Sequence, residues 1–143
     1  MYAGYGAKQA ENYLAQRINS ASPEELAAML LAGAERFLTQ AAAAIRRKDF
    51  MEKARLVKRA ADIIQALQDM INPEGEEEAV NRLHGIYIWW LKDIFEASMK
   101  DRPEQIEVVI AQMVNLRGGW EELSARAPAP QAPAAFSMEG LVG

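Results

Sequence analysis

The sequence contains no cysteine, which excludes a disulfide framework, a thiolate metal site and a cysteine nucleophile together. It has one histidine, His84. Metal sites inside helical bundles draw on Glu-x-x-His pairs, and the residue three before His84 is Asn81. Acid–base chemistry by His84 alone would need an orienting carboxylate and a cleft; the sequence indicates neither, so a half-buried or surface histidine is expected. No glycine-rich loop follows a strand, which removes a phosphate cradle. The longest charge-free apolar run, Leu83 to Leu91, is far short of the roughly 20 residues that span a bilayer. The opening Met-Tyr-Ala-Gly-Tyr-Gly-Ala-Lys lacks the basic-then-apolar layout of a signal peptide. Positive charge is not in surplus either: 16 Lys and Arg against 20 Asp and Glu leave a net charge of −4. That balance argues against nucleic acid or an anionic membrane as the main partner. Lys53, Arg55, Lys58 and Arg59 do cluster, but Asp62 and Asp69 share the stretch and no aromatics interleave, so a solvated helix face is expected. Glu76-Glu77-Glu78 reads as the acidic first turn of a helix rather than a cation site. No enzyme activity, cofactor or metal is expected.

What is present is ordinary globular material, half hydrophobic and a quarter charged across 143 residues, enough for one core without metal or disulfide support. A soluble, acidic, intracellular single domain is expected. Residues 1–21 carry a weak helical pattern with Tyr13, Leu14, Arg17 and Ile18 and read as an arm. Ser22-Pro23-Glu24-Glu25 then has serine at N-cap, proline at N1 and glutamate at N3, a capping box that opens a first long helix. Leu26, Met29, Leu30, Gly33, Phe37, Ala41, Ala44 and Ile45 lie along one side of it, and Arg46-Arg47-Lys48 close it with cations against the negative end of the dipole. The run Ala41–Ala44 allows close helix approach as well as favouring helix.

Asp49 repeats the capping logic before a second helix with the stripe Leu56, Ala60, Ile63, Leu67 and Met70, joined by Val57, Ile64 and Ile71. Asn72-Pro73-Glu74-Gly75 breaks it, and a third helix follows. Asp101 is expected to cap a fourth, with Pro103 in its first turn and the stripe Ile106, Val109, Ile110, Met113, Leu116, Trp120 and Leu123. Four long helices with short connections predict an all-α, antiparallel, up-down four-helix bundle over 22–126, preceded by an N-terminal arm or short extra helix. From 127 to 143 the composition turns to an Ala/Pro-rich linker of extended character, ending in Phe136, Met138, Leu141 and Val142.

The third helix holds more apolar surface than one face requires. Val80, Leu83, Ile86, Tyr87, Ile88, Trp90, Leu91, Ile94, Phe95 and Met99 cover roughly 220° of its wheel, where a surface helix needs little more than 100°. Trp89 falls outside even that arc, among Arg82, Lys92, Asp93 and Glu96. Tyr87, Trp90 and Trp120 are expected in the core. Trp89 with the flank Ile88, Phe95 and Met99 is expected to meet another chain, because tryptophans are enriched where helices dock. Tyr13, Leu14 and Ile18 of the arm are expected to cover that groove until a partner displaces them, and the apolar tail is a second candidate cover. Both a monomer and a weak homodimer are compatible with the pattern.

The order of these signals resembles the flagellin export chaperone family, FliS. It runs from Asn12-Tyr13 through Ser20-Ala21-Ser22-Pro23-x-x-Leu26 and Met29-Leu30-x-x-Gly33-Ala34-x-x-Phe37-Leu38 to Ala41, Ala44-Ile45 and Lys48-Asp49. It continues at Ile63-Ile64-x-x-Leu67, Leu83-x-x-Ile86-Tyr87-x-Trp89, Ala97-Ser98-x-x-Asp101 and Leu116-x-x-x-Trp120, covering about residues 12–126. The sequence departs from the pattern at Pro73–Glu76, at Trp89-Trp90, in the 127–143 extension and at Gly118-Gly119. That glycine pair is expected to allow a bend or a close backbone approach. The resemblance implies a cytoplasmic chaperone that binds the disordered C-terminal segment of flagellin, prevents early polymerisation and hands it to the export apparatus, with other flagellar export or regulatory proteins as further partners. An alternative from the residues alone is a regulatory adaptor that binds an apolar helix of another protein.

Overall fold

The computed structural model describes residues 2–126, with side chains at 9, 11–13 and 15–126. All the regular structure described is helical: α1 (Tyr2–Ser20), α2 (Pro23–Arg46), α3 (Phe50–Asp69), α4 (Glu77–Met99) and α5 (Pro103–Arg126), with no strand. The expected linker and tail at 127–143 and the side chain of Leu14 lie outside the described residues.

Local chemistry explains most boundaries. The Ser22 side chain accepts a hydrogen bond from the Glu25 N–H at 3.1 Å, with Pro23 starting α2, so one orphan donor of the helix start is satisfied. The Glu25 carboxylate is turned to the Ser124 hydroxyl at 3.4 Å, so the box is half formed. Asp49 caps α3 in the same way, accepting from the Glu52 N–H at 3.2 Å.

Helices α2 and α4 end alike. Lys48 sits at φ 61° and Asp101 at φ 51°. Around them the Asp49 N–H reaches Ala44 O at 2.8 Å and the Arg102 N–H reaches Ala97 O at 2.9 Å, backed by Lys48 to Ile45 and Asp101 to Ser98. These are Schellman closures built on lysine and aspartate where glycine is favoured. Asp101 therefore does not cap the last helix as the sequence suggested; it closes the preceding one. Aspartate tolerates the left-handed region better than most residues. Its carboxylate takes the Lys53 ammonium at 2.6 Å, while Lys53 also donates to Ser98 O at 2.8 Å, which ties the end of α4 to the start of α3.

Packing runs α3–α2–α5–α4 and back to α3, with α2 the most closely engaged helix. Arg46 at the end of α2 forks onto Glu107 near the start of α5 with two 2.9 Å bonds, and Arg117 meets Glu35 at 2.7 Å further along. Those pairs set α2 and α5 in opposite directions. Leu31, Leu38, Leu56, Ile64, Leu67, Met70, Tyr87, Trp90, Ile94, Ile106 and Met113 are the large side chains of the single core.

The inner face of α2 differs from the expected stripe. Ala27, Leu31, Ala34, Leu38 and Ala41 are fully buried, while Leu26, Met29, Leu30 and Phe37 are half-buried. Because α2 meets two neighbours, its small residues take the centre and its larger ones the flanks. Gly33 belongs to that arrangement: an added Cβ would come within 3.4 Å of Ile63 Cδ1 on α3.

Candidate functional site

Helix α4 is where burial runs out. Val80, Leu83, Tyr87, Trp90, Ile94 and Ala97 point into the core, Ile86 and Leu91 are half-buried, and Ile88, Trp89, Phe95 and Met99 are exposed. The bundle thus covers only part of the wide apolar arc. The buried aromatics make specific contacts. Tyr87 and Trp90 rings lie 5.6 Å apart at 53°, and Trp90 Nε1 donates to Gln112 Oε1 of α5 at 2.8 Å. Burial holds the Tyr87 hydroxyl well above the ordinary tyrosine range, because the charged form would lose its solvation. Trp120 is buried as expected.

The exposed residues of α4 fall on two flanks. Successive residues turn by about 100°, so Ile88, Phe95 and Met99 share one line while Trp89 looks elsewhere. Trp89 lines a cleft of about 650 Å³ between α4 and α5, with Arg82, Gly85, Ile86 and Trp90 on one wall and Gln112, Asn115, Leu116 and Gly119 on the other. Ile88, Phe95 and Met99 lie on the flank away from α5. Lys53 brings the start of α3 to the end of α4, so Phe50 and Met51, 46% and 87% exposed, rise at the same end of the bundle as Phe95 and Met99. The Lys53 ammonium stands 5.1 Å from the Phe50 ring centroid. Two exposed apolar residues in the first turn of α3 were a legible signal that the capping pattern obscured.

Three residues in the middle of α4 and α5 lack side chains without an internal reason. Gly85, Gly118 and Gly119 are exposed, and an added Cβ at any of them would meet nothing within 4 Å. Helix α5 continues unbroken through the pair, and the open space around both positions means that, among the described residues, the expected close approach does not occur. Each glycine costs about 1 kcal/mol of helix stability relative to alanine. Gly85 and Gly119 are both on the cleft wall, and their effect there is to leave it open.

The structure does not bring the arm onto α4. Among the described residues, no other helix makes an extended contact with α1. Its last turn meets α2, with Ile18 near Leu26, Met29 and Leu30, and Tyr13 is 65% exposed. His84 is half-buried, and among the described residues no three His, Cys, Asp or Glu side chains gather as a metal site. No helix among them is long and apolar enough to cross a membrane.

These features define a class, an all-helical bundle that exposes large apolar side chains on α4 and in the first turn of α3. The particular family follows from comparison with known proteins: the family described as flagellar protein FliS matches residues 6–127, and the chain belongs to it. It is 26% identical over 125 residues to the flagellar secretion chaperone FliSB of Pseudomonas aeruginosa, covering 87% of this chain and 99% of that protein. It is likewise 26% identical over 129 residues to the flagellar secretion chaperone FliS of Salmonella typhimurium, 89% and 96% of the two chains. With FliS of Bacillus subtilis the identity is 27% over 110 residues, 77% and 81% of the two chains.

Proposed function

We propose that the protein is a cytoplasmic chaperone, without enzyme activity, that binds the disordered C-terminal segment of flagellin, keeps the subunit from polymerising early and presents it to the export apparatus. Membership of the family supports the class of activity. The observation that carries the reading is the exposed apolar surface on both flanks of α4: Trp89 in the α4/α5 cleft, and Ile88, Phe95 and Met99 on the other side. An unfolded amphipathic chain binds such surfaces by folding its apolar residues into helix-lined grooves. Each large anchor contributes about 1.5–3 kcal/mol before ordering costs, so several anchors on two flanks favour an extended, wrapped contact over a single pocket. In this reading residues 22–126 form an antiparallel up-down four-helix bundle, 1–21 an arm outside it, and 127–143 a linker with an apolar tail.

Light scattering of purified flagellin monomers under polymerising conditions tests the proposal. An equimolar amount of the chain is expected to hold flagellin monomeric, and flagellin lacking its C-terminal segment is expected not to bind. Filament growth at an unchanged rate would overturn the proposal.

A further inference from the structure

The apolar track of the α4/α5 cleft extends beyond the cleft. On α5, Gln112, Asn115, Leu116 and Gly119 line it, and Leu123 continues the face of Leu116 and Gly119 at the next helical spacing. Leu123 is 43% exposed, and the track runs to the last described turn of α5, next in sequence to residues 127–143. For that segment only the sequence enters the argument. Pro128, Pro130 and Pro133 are residues that disfavour helix. Phe136, Met138, Leu141 and Val142 follow, with Glu139 as the one charge among residues 127–143.

We propose that residues 136–142 seat in the α4/α5 cleft of their own chain and cover Trp89 and Leu116 until a partner displaces them. Reach allows it. Residues 127–135, extended at about 3.1 Å each, span about 28 Å, whereas α5 rises only about 15 Å from Leu116 to Arg126. The chain can therefore reverse and return with length to spare. Chemistry matches as well: the lining carries a single charged residue, Arg82, opposite in sign to Glu139. Arg82 already holds Glu78 at 2.9 Å in an exposed pair, which a second carboxylate can share. Gly85 and Gly119, where a Cβ would meet nothing within 4 Å, leave room for a backbone to lie close.

A tail from a second copy has the same chemistry, but the chain's own tail is tethered at the end of the track. Tethering gives an effective concentration of about 1 mM. An intrinsic dissociation constant of about 0.1 mM then closes the cleft about ten to one and weakens a competing partner about tenfold. The competition rests on the proposed client reading; the contact between tail and cleft does not.

Acrylamide quenching of tryptophan fluorescence tests the contact in the full chain, comparing it with the double substitution Phe136→Ser and Leu141→Ser. Trp90 and Trp120 are buried and Trp89 is 54% exposed, so Trp89 dominates the quenching. The substituted chain is expected to be at least about twofold more quenchable, as opening a mostly closed cleft requires, and Trp89→Phe in both chains is expected to abolish the difference. Equal quenching in the two chains would overturn the proposal. Protection that vanishes on dilution would overturn the own-chain arrangement in favour of a second copy's tail. Titration with a flagellin C-terminal peptide separates the two readings. About tenfold tighter binding by the substituted chain supports competition. Should neither chain bind the peptide while the quenching difference stands, the client reading fails and the tail contact survives.

Discussion

Trp89 and Trp90 are neighbours in the chain with opposite surroundings, 54% and 2% exposed. Replacing Trp90 by alanine removes a core aromatic and leaves the Gln112 amide without its indole partner; a loss of about 3–5 kcal/mol is expected from urea unfolding. Trp89→Ala is expected to change stability by no more than about 0.5 kcal/mol and to cost partner affinity instead. Gly118 offers the reverse test. It is exposed, helical and away from every neighbour, so Gly118→Ala is expected to stabilise by about 0.5–1 kcal/mol in the same assay. The difference between Trp89 and Trp90 was legible in the sequence, because a helical wheel separates them by about 100°. That Trp89 faces a cleft floored by Gly119 was not, since the cleft is a relation between two helices whose facing residues lie far apart in sequence.

Among the elements, the two Schellman closures show where residue pattern and geometry part. Asp101 had the chemistry of an N-cap and the position of a helix end, and only the path of the chain decides between them. Lys48 is the costlier closure, because lysine gains nothing from the left-handed region that glycine occupies freely. Lys48→Gly is expected to raise stability by about 0.5–1 kcal/mol, read from the thermal midpoint. Helix boundaries were otherwise largely readable from Ser22-Pro23, Asp49 and the Asn72–Gly75 break. The inner face of α2 was not, since a helix with two close neighbours buries alanine at its centre and the pattern of large residues misleads. The arm was readable as a weak helical segment; its distance from α4 was not, because no sequence signal reports which helix an arm approaches.

The whole molecule is laced by ion pairs on its surface, and their titration is predictable in sign. Hydrogen bonding to Arg46 lowers the Glu107 carboxyl, Arg55 does the same for Glu52, and Lys100 for Glu96. A carboxyl lowered in the folded state stabilises the fold above its unfolded value, near 4.5 here, and that contribution is lost as pH falls through the folded value. Urea midpoints are therefore expected to hold from neutral pH down to the unfolded carboxylate value and to fall below it. In Glu107→Gln the fall is expected to be smaller, by a modest amount because these pairs are exposed.

The central claim is that α4 holds a client on both flanks, and calorimetric titration with the C-terminal segment of flagellin tests it most directly. The account predicts a dissociation constant at or below the micromolar range, a negative heat-capacity change from apolar burial, and a weakening of about tenfold or more for both Trp89→Ala and Phe95→Ser, with melting unchanged. Absence of binding at micromolar concentrations, or binding that neither substitution alters, would contradict it.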